Sequence, residues 1–288
     1  GVVLSGMAPT FNVLLLGRIV QAIGTGLLIP LMFHTVLIIF PIEKRGLIMG
    51  AVGLVMMSAP AVGPAASGLI IEVLSWNWIL WFILPFLLFT LVYGYIYVQN
   101  VTVLTKPKID VLSIILSTLG FGGIVYGFSV AGHQGWASPI VIAALAIGLS
   151  SLIVFAIRQF KIDNPMLDLR TLQFPMFTLA LLSVMATFMI ILSTMILLPL
   201  YLQIGLGLTA LTAGLVLMPG GAINGILSPV AGRAYDMYGP KVLLTPGFLI
   251  MLFMLWNLSH VTTDTSMYTV VLLHSGLMVG VTFVMMPL

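Results

Sequence analysis

Cysteine is absent from the 288 residues, and charge is scarce: ten Lys and Arg, seven Asp and Glu, 6% of the chain. Without cysteine there is no disulfide framework and no thiolate metal site. The scarcity of charge excludes more. A soluble domain carries about 25% charged residues because its surface faces water, so the solvent of this chain is lipid. A net charge of +3 does not make a nucleic-acid binder, since ten basic residues spread along the chain form no patch and no aromatic–basic interleaving. Enzyme signatures are missing as well. There is no His-Glu-x-x-His, no Gly-x-Ser-x-Gly, no Walker loop and no pair of intramembrane carboxylates. No cofactor and no metal are expected. The chain opens on Gly1-Val2-Val3-Leu4, with neither an initiator Met nor a basic n-region, so this is not a signal peptide. It stops inside an apolar run at Leu288, and both ends are expected to be cut from a longer protein.

What the chain has in abundance is apolar length. Hydrophobic residues make up 61%, and runs of about 20, enough to cross a ~30 Å hydrocarbon core, recur about nine times. They fall near 11–37, 46–69, 76–98, 111–131, 138–158, 176–199, 210–231, 241–259 and 267–288, with 1–8 as the tail of an earlier span. Backbone groups in lipid must be satisfied within their own segment, so these spans are helices and the fold class is all-α transmembrane. The alternating strands of a barrel are not seen.

The loop charges orient the spans. Lys44 with Arg45, Lys106 with Lys108, Arg158, Lys161 with Arg170, and Arg233 with Lys241 are each two spans apart, so all four groups share one side. The opposite loops hold only Glu72 and Asp264. By the positive-inside rule the basic side is cytoplasmic, in a cell (inner) membrane. Trp76, Trp78, Trp81, Trp136 and Trp256 all fall near the other interface, where indole rings straddle lipid and water. The polar stretches 99–110 and 159–175 read as cytoplasmic linkers, the second beginning just after Arg158.

A few residues could carry chemistry. Arg18 is the sole Lys or Arg inside a predicted span, ~10 Å below the outer surface if its helix starts near Phe11. A buried Arg costs ~2.5–3.5 kcal/mol by insertion scales, so it faces a cavity or a partner. Two readings stay open: a pathway residue near substrate or coupling proton, or a side chain that snorkels outward or pins a neighbouring helix. Gln21 shares its face one turn on, and the chain offers no buried carboxylate to pair with it. In the second span Ala59, Gly63 and Ser67 recur every four residues, as do Pro60, Pro64 and Gly68, and Gly50 extends the pattern. Small residues at this spacing let backbones approach, while Pro64 loosens the helix. The stretch Gly232-Arg-Ala-Tyr-Asp236-Met-Tyr-Gly239-Pro240-Lys241 reads as a loop in which Asp236 caps the helix that follows. Among the histidines, His133 and His260 lie in or near outer loops, and His34 towards a cytoplasmic helix end. His274 sits about a third of the way into the last span, where an imidazole relays protons or makes a structural hydrogen bond.

Together these motifs resemble the major facilitator superfamily, in its fourteen-helix drug:proton antiporter branch. Leu14-x-x-x-Arg18-x-x-Gln21-Ala22-x-Gly24 is similar to the family's fourth-helix motif, with Ala22 where Gly is usual. Gly50…Ala59-x-x-x-Gly63-Pro64-x-x-Ser67-Gly68 resembles its fifth-helix antiporter motif, with Ala59 and Ser67 in place of two glycines. Gly232-x-x-x-Asp236-x-x-Gly239-x-Lys241 looks like the second copy of the cytoplasmic-loop signature, and Pro199-Leu-Tyr201-Leu-Gln203 followed by Gly214…Pro219-Gly220 resembles the entry to the second half.

The resemblance covers the whole chain and implies helices 4–12 of the family after the tail of helix 3. It divides the chain into 1–98 of an N-terminal bundle, 111–158 as an inserted helix pair, and 176–288 of a C-terminal bundle, with 99–110 and 159–175 as linkers. It implies two bundles rocking about a central site. By the same carry-over Arg18 serves proton coupling, Gly63, Pro64 and Gly68 govern packing between halves, and Asp236 latches the cytoplasmic side. The expected function is proton-coupled export of amphipathic drugs or toxic compounds, with substrate, protons and the bilayer as partners and no nucleic acid. A metabolite permease of the same family is the alternative, and a membrane enzyme or structural subunit a distant one.

Overall fold

The computed structural model describes residues 1–41, 44–99, 110–163 and 165–287, with the backbone alone at 57, 58, 60 and 61. Lys106 and Lys108 therefore lie outside the described residues. The elements are α1 (Val2–Gly6), α2 (Phe11–Ile39), α3 (Arg45–Val73), α4 (Asn77–Tyr97), α5 (Val111–Gln134), α6 (Pro139–Lys161), α7 (Pro175–Leu200), α8 (Ala210–Tyr238), α9 (Lys241–Leu258) and α10 (Met267–Met285). A 3-10 turn, Leu169–Gln173, precedes α7 and a π turn, Tyr201–Gly205, continues it. Among the described residues eight helices are long and apolar enough to cross a membrane, no strand is present, and the fold is all-α transmembrane. Outward faces are apolar, as on α4 where Phe86, Phe89 and Tyr95 are exposed; in lipid such a face costs nothing. Pro30, Pro85, Pro199, Pro219, Pro229 and Pro246 sit inside helices, a habit that membrane helices tolerate because neighbours re-satisfy the freed carbonyls.

The expected loop at 232–241 is corrected. Gly232 and Asp236 are in the last turns of α8, which runs to Tyr238, and only Gly239 and Pro240 intervene before Lys241 opens α9. Gly239 ends α8 with φ +76, a left-handed conformation that favours glycine, and its N–H donates to the Tyr235 carbonyl at 2.9 Å. Polar residues there keep helical geometry because α8 continues past the apolar zone. The first three residues of the expected linker 159–175 are helical too, since α6 runs to Lys161.

The described chain divides into two compact units, Val103–Leu181 and the remainder. In the first, α5 and α6 form an antiparallel hairpin closed by Gly135 at φ +78. Its helices touch through glycine: a Cβ on Gly123 would meet the Ala144 carbonyl at 2.9 Å and Gly148 Cα at 2.9 Å. The open end is tied by polar groups. Asp110 caps α5, accepting from Ser113 N–H at 3.3 Å and Ser113 Oγ at 2.6 Å. Arg158 donates to both of its oxygens, at 3.1 and 3.0 Å. Buried Gln159 donates to Ser113 Oγ at 2.8 Å and accepts from Leu167 N–H at 3.1 Å, folding the following segment back on α6.

In the other unit α8 is the shared helix, packed against α3, α9 and α10. Leu198, Leu202, Ala213, Val216, Leu217 and Val270 form one buried cluster, and Met251, Leu277, Met278, Val281 and Val284 another. The short α1 packs on both α2 and α4; Asn77 Nδ2 donates to the Gly6 carbonyl at 3.0 Å.

Asp110 precedes its span, and hydrogen bonds from Arg158 and Ser113 lower its pKa from 3.8 to about 2. A depressed carboxylate contributes stability fully above its unfolded pKa and loses it as pH falls through the folded value. The hairpin's pH-dependent loss of stability from this group therefore lies between pH 3.8 and about 2. In Arg158→Met the midpoint of the Asp110 carboxylate carbon-13 titration should climb towards the ordinary range, and an unmoved midpoint would contradict this assignment.

Candidate functional site

Helices α3 and α8 run antiparallel in one register, with contacts between Gly46 and Gly232, Gly50 and Pro229, Leu54 and Gly225, Ala65 and Gly214, and Gly68 and Leu211. Each contact has a glycine on at least one side. A Cβ on Gly50 would come within 2.8 Å of Pro229 Cα, and one on Gly68 within 2.7 Å of Leu211 Cα. Helices in lipid have no hydrophobic drive to associate, so close backbone packing and hydrogen bonds hold them.

At the basic end this seam is pinned by Asp236. Its Oδ1 accepts from Gly46 N–H at 3.2 Å and its Oδ2 from Leu47 N–H at 3.0 Å. These are first-turn amides of α3, which lack a partner in their own helix, and Lys44 at the cap offers no side-chain bond. Negative charge there also suits the helix dipole. Asp236 thus caps a helix 190 residues away in sequence, not the following α9 as the sequence suggests. Glycine is required at 46 because a Cβ would run into the Asp236 carboxylate, and at 232 because one would run into the Gly46 carbonyl. Beside this latch Arg45 donates to the Phe40 carbonyl at 3.3 Å and the Leu37 carbonyl at 2.8 Å, closing the end of α2.

Away from the latch, α3, α7 and α8 line a cleft of about 570 Å³ beside the seam. Ala59, Gly63, Pro64, Ser67 and Gly68 form its α3 wall, Met195, Pro199 and Gln203 come from α7 and the π turn, and Ala213, Gly214 and Leu217 from α8. The two small-residue stripes of α3 thus do different work. Gly50 lies in the seam, and Gly68 lies in the seam while also edging the cleft. Ala59, Gly63 and Ser67, about 100° round the helix, line the cleft, and a Cβ on Gly63 would meet nothing within 4 Å. The wall is apolar apart from Ser67 and Gln203. The π turn follows Pro199 and is held by Tyr201, whose hydroxyl donates to the Thr262 carbonyl at 2.7 Å.

The other expected residues lie apart from the cleft. Arg18 is exposed on α2; it donates to Gln21 Oε1 at 3.1 Å, and Gln21 Nε2 donates to Ser5 Oγ at 3.4 Å. Among the described residues Arg18 has no ion pair. Lys241 is exposed at the start of α9. His274 is buried between α8 and α10. Gly46 escaped the sequence reading, its one available signal being that it directly follows a basic loop; Arg45 was read there only as a loop charge, and Gln203 and Gly214 only as parts of a motif.

A family model described as Major Facilitator Superfamily matches residues 1–288. The chain is 54% identical over 287 residues to a protein of Listeria innocua named lincomycin resistance protein LmrB, covering 100% of this chain and 61% of that protein. It is 56% identical over 289 residues to the protein of that name from Bacillus subtilis, covering 100% and 60%. Over 249 residues it is 29% identical to the multidrug export protein EmrB of Haemophilus influenzae, covering 86% and 49%. The chain therefore spans 61% and 60% of the length of the two lincomycin resistance proteins.

The seam and the cleft respond differently to added volume. In the full-length parent protein, Gly50→Val and Gly68→Val should each cost about 1–3 kcal/mol by overpacking, read as a lowered melting temperature in detergent. Gly63→Val should leave the melting temperature close to that of the parent. Equal losses at all three positions would contradict the division of the stripes.

Proposed function

The chain belongs to the Major Facilitator Superfamily, and we propose that its parent is a secondary transporter exporting amphipathic drugs or toxic compounds in exchange for protons. The observation that carries this reading is the α3–α8 contact, latched by Asp236 at the basic end and flanked nearer the other by a cleft that α7 helps to line. Alternating access needs such an asymmetry, one end closed while a central site faces the other side. With the basic end cytoplasmic, the latch closes the cytoplasmic end in a cell membrane and the cleft lies in the outer half. An apolar cleft of about 570 Å³ suits a drug-sized amphipathic ligand, with Gln203 and Ser67 to orient its polar groups. The relatives' names, lincomycin resistance and multidrug export, make lincomycin the first compound to test.

On this reading residues 1–98 and 176–288 are parts of the two transport bundles and 111–158 an inserted pair. Arg18 and Gln21 belong to the proton or substrate pathway on α2, and Gly232, Asp236, Gly239 and Lys241 to the latch. Efflux of lincomycin or a cationic dye by the full-length parent should stop when the proton gradient is collapsed, and Arg18→Ala should lower it about tenfold. Efflux that outlasts the gradient would sink the antiport mechanism. Export of a native metabolite without drug protection would point to the permease instead.

The latch makes its own prediction. Asp236→Ala removes a helix cap worth about 1 kcal/mol, and so raises the basic-end-open population about fivefold. Spin labels at the exposed positions Leu47 and Met237 should report a longer distance in the variant. An unchanged distribution would remove Asp236 from the gating role.

A further inference from the structure

His274 is the single titratable side chain among the described residues that is buried, 7% exposed, and its Nδ1 has no hydrogen-bond partner. Its place follows from helix register. Helices α8 and α10 run parallel with a constant offset, so the His274 ring lies on Gly220 and, one turn on, Asn224 Nδ2 reaches Met278 Sδ at 3.7 Å. A Cβ on Gly220 would overlap the ring at Nδ1 and Cε1. Gly220 is therefore the seat, and the ring edge rests on bare backbone. From the other side Met251 and Met254 of α9 pack on Gly280 and Gly276 of α10.

This environment leaves Nδ1 nothing to bond. The titratable residues of the packed elements are Arg233, Tyr235, Asp236 and Tyr238 on α8, Lys241 on α9, exposed Tyr268 on α10 and Tyr201 beside Val270. Those of α8 and α9 lie at the basic end, about 20 Å along the axis, and Tyr201 is engaged with Thr262. Because Nδ1 is closed off by α8 itself, no group outside the chain reaches it while the ring stays seated. A proton added in place would bury an N–H donor without an acceptor, which is costly. An orphaned buried nitrogen in a native fold calls for a reason, and movement of α10 off α8 supplies one.

We infer that His274 carries a proton in the transport cycle, binding it at Nδ1 when α10 lifts from Gly220 and losing it when the ring reseats. This rests on the proton-coupled reading above. On lifting, with the neutral ring's own proton on Nε2, a hydronium ion gives its proton to the Nδ1 lone pair, forming an N–H bond and an imidazolium and leaving water. On reseating, the proton returns to water and the ring is neutral. Protonation is thereby tied to helix position, and Gly220 is a positioning residue for it.

The test uses the full-length parent in proteoliposomes, with diethyl pyrocarbonate labelling read by mass spectrometry. His34, His133 and His260 are exposed and serve as internal standards. His274 should label about tenfold more slowly than these in the resting parent and faster during proton-driven lincomycin efflux. Gly220→Ala, which denies the ring its seat, should make His274 label at the standards' rate without substrate. His274→Gln and Gly220→Ala should both flatten the pH profile of efflux. A parent whose efflux is proton-driven, with a His274→Gln variant keeping its pH profile, would overturn the inference alone. So would slow labelling of His274 in Gly220→Ala. A parent that does not couple efflux to protons would overturn the function proposed above, and the inference with it.

Discussion

The start of α3 has amides that its own helix cannot satisfy, and in a bilayer an unsatisfied donor is expensive. Asp236 satisfies two of them from a different part of the chain. A carboxylate side chain is short, so this bond brings the backbones of α3 and α8 together at that point. Only glycine fits there, at 46 and at 232. Once those two turns are in contact the antiparallel register is fixed, and later turns meet through further glycines at Gly50, Gly225, Gly214 and Gly68. The seam is therefore a continuous consequence of one capped helix end.

The same rigidity explains the cleft. A helix of 3.6 residues per turn cannot keep both small-residue stripes against one straight neighbour. The stripe holding Gly50 and Gly68 takes the seam, which leaves Ala59, Gly63 and Ser67 facing away from α8's backbone towards α7. Small side chains there do not fill the space. The π turn after Pro199 adds to this, since its wider winding re-aims Gln203 into the cleft.

Much of this was legible in the sequence, and the reason is physical. Span length is set by bilayer thickness, so Phe11–Ile39 and Met267–Met285 could be placed within a few residues from apolar length alone. Which face of a span meets protein is another matter. In lipid both the packed and the exposed faces are apolar, so the periodicity that marks a soluble helix carries no signal. Only small and polar residues break the uniformity, which is why the Gly50–Gly68 stripes and Gly214 stood out, while nothing in the sequence said that they pack on each other. The continuation of α8 through Gly232 was hidden because glycine and polar residues look like loop. The target of Asp236 was hidden because its hydrogen bonds span 190 residues, and helix ends nearby offered a closer, wrong answer.

One helix now connects features that the sequence presents as separate motifs. Gly214, Gly225 and Gly232 fall on one face of α8, and Gly220 about 120° round from it. The first face is pressed on α3 and the second on α10. Packed helices rearrange between discrete arrangements because their interiors do not deform continuously. A shift of α8 that releases Asp236 from the first turn of α3 must therefore disturb the Gly220–His274 contact, unless α10 moves with it. Buried Ser228 sits where the two faces approach, near Gly53 of α3 and bonded to the Asn224 carbonyl at 2.8 Å. The latch and the buried imidazole thus share a rigid body, and that shared body is the physical route by which a proton at one could bias the other.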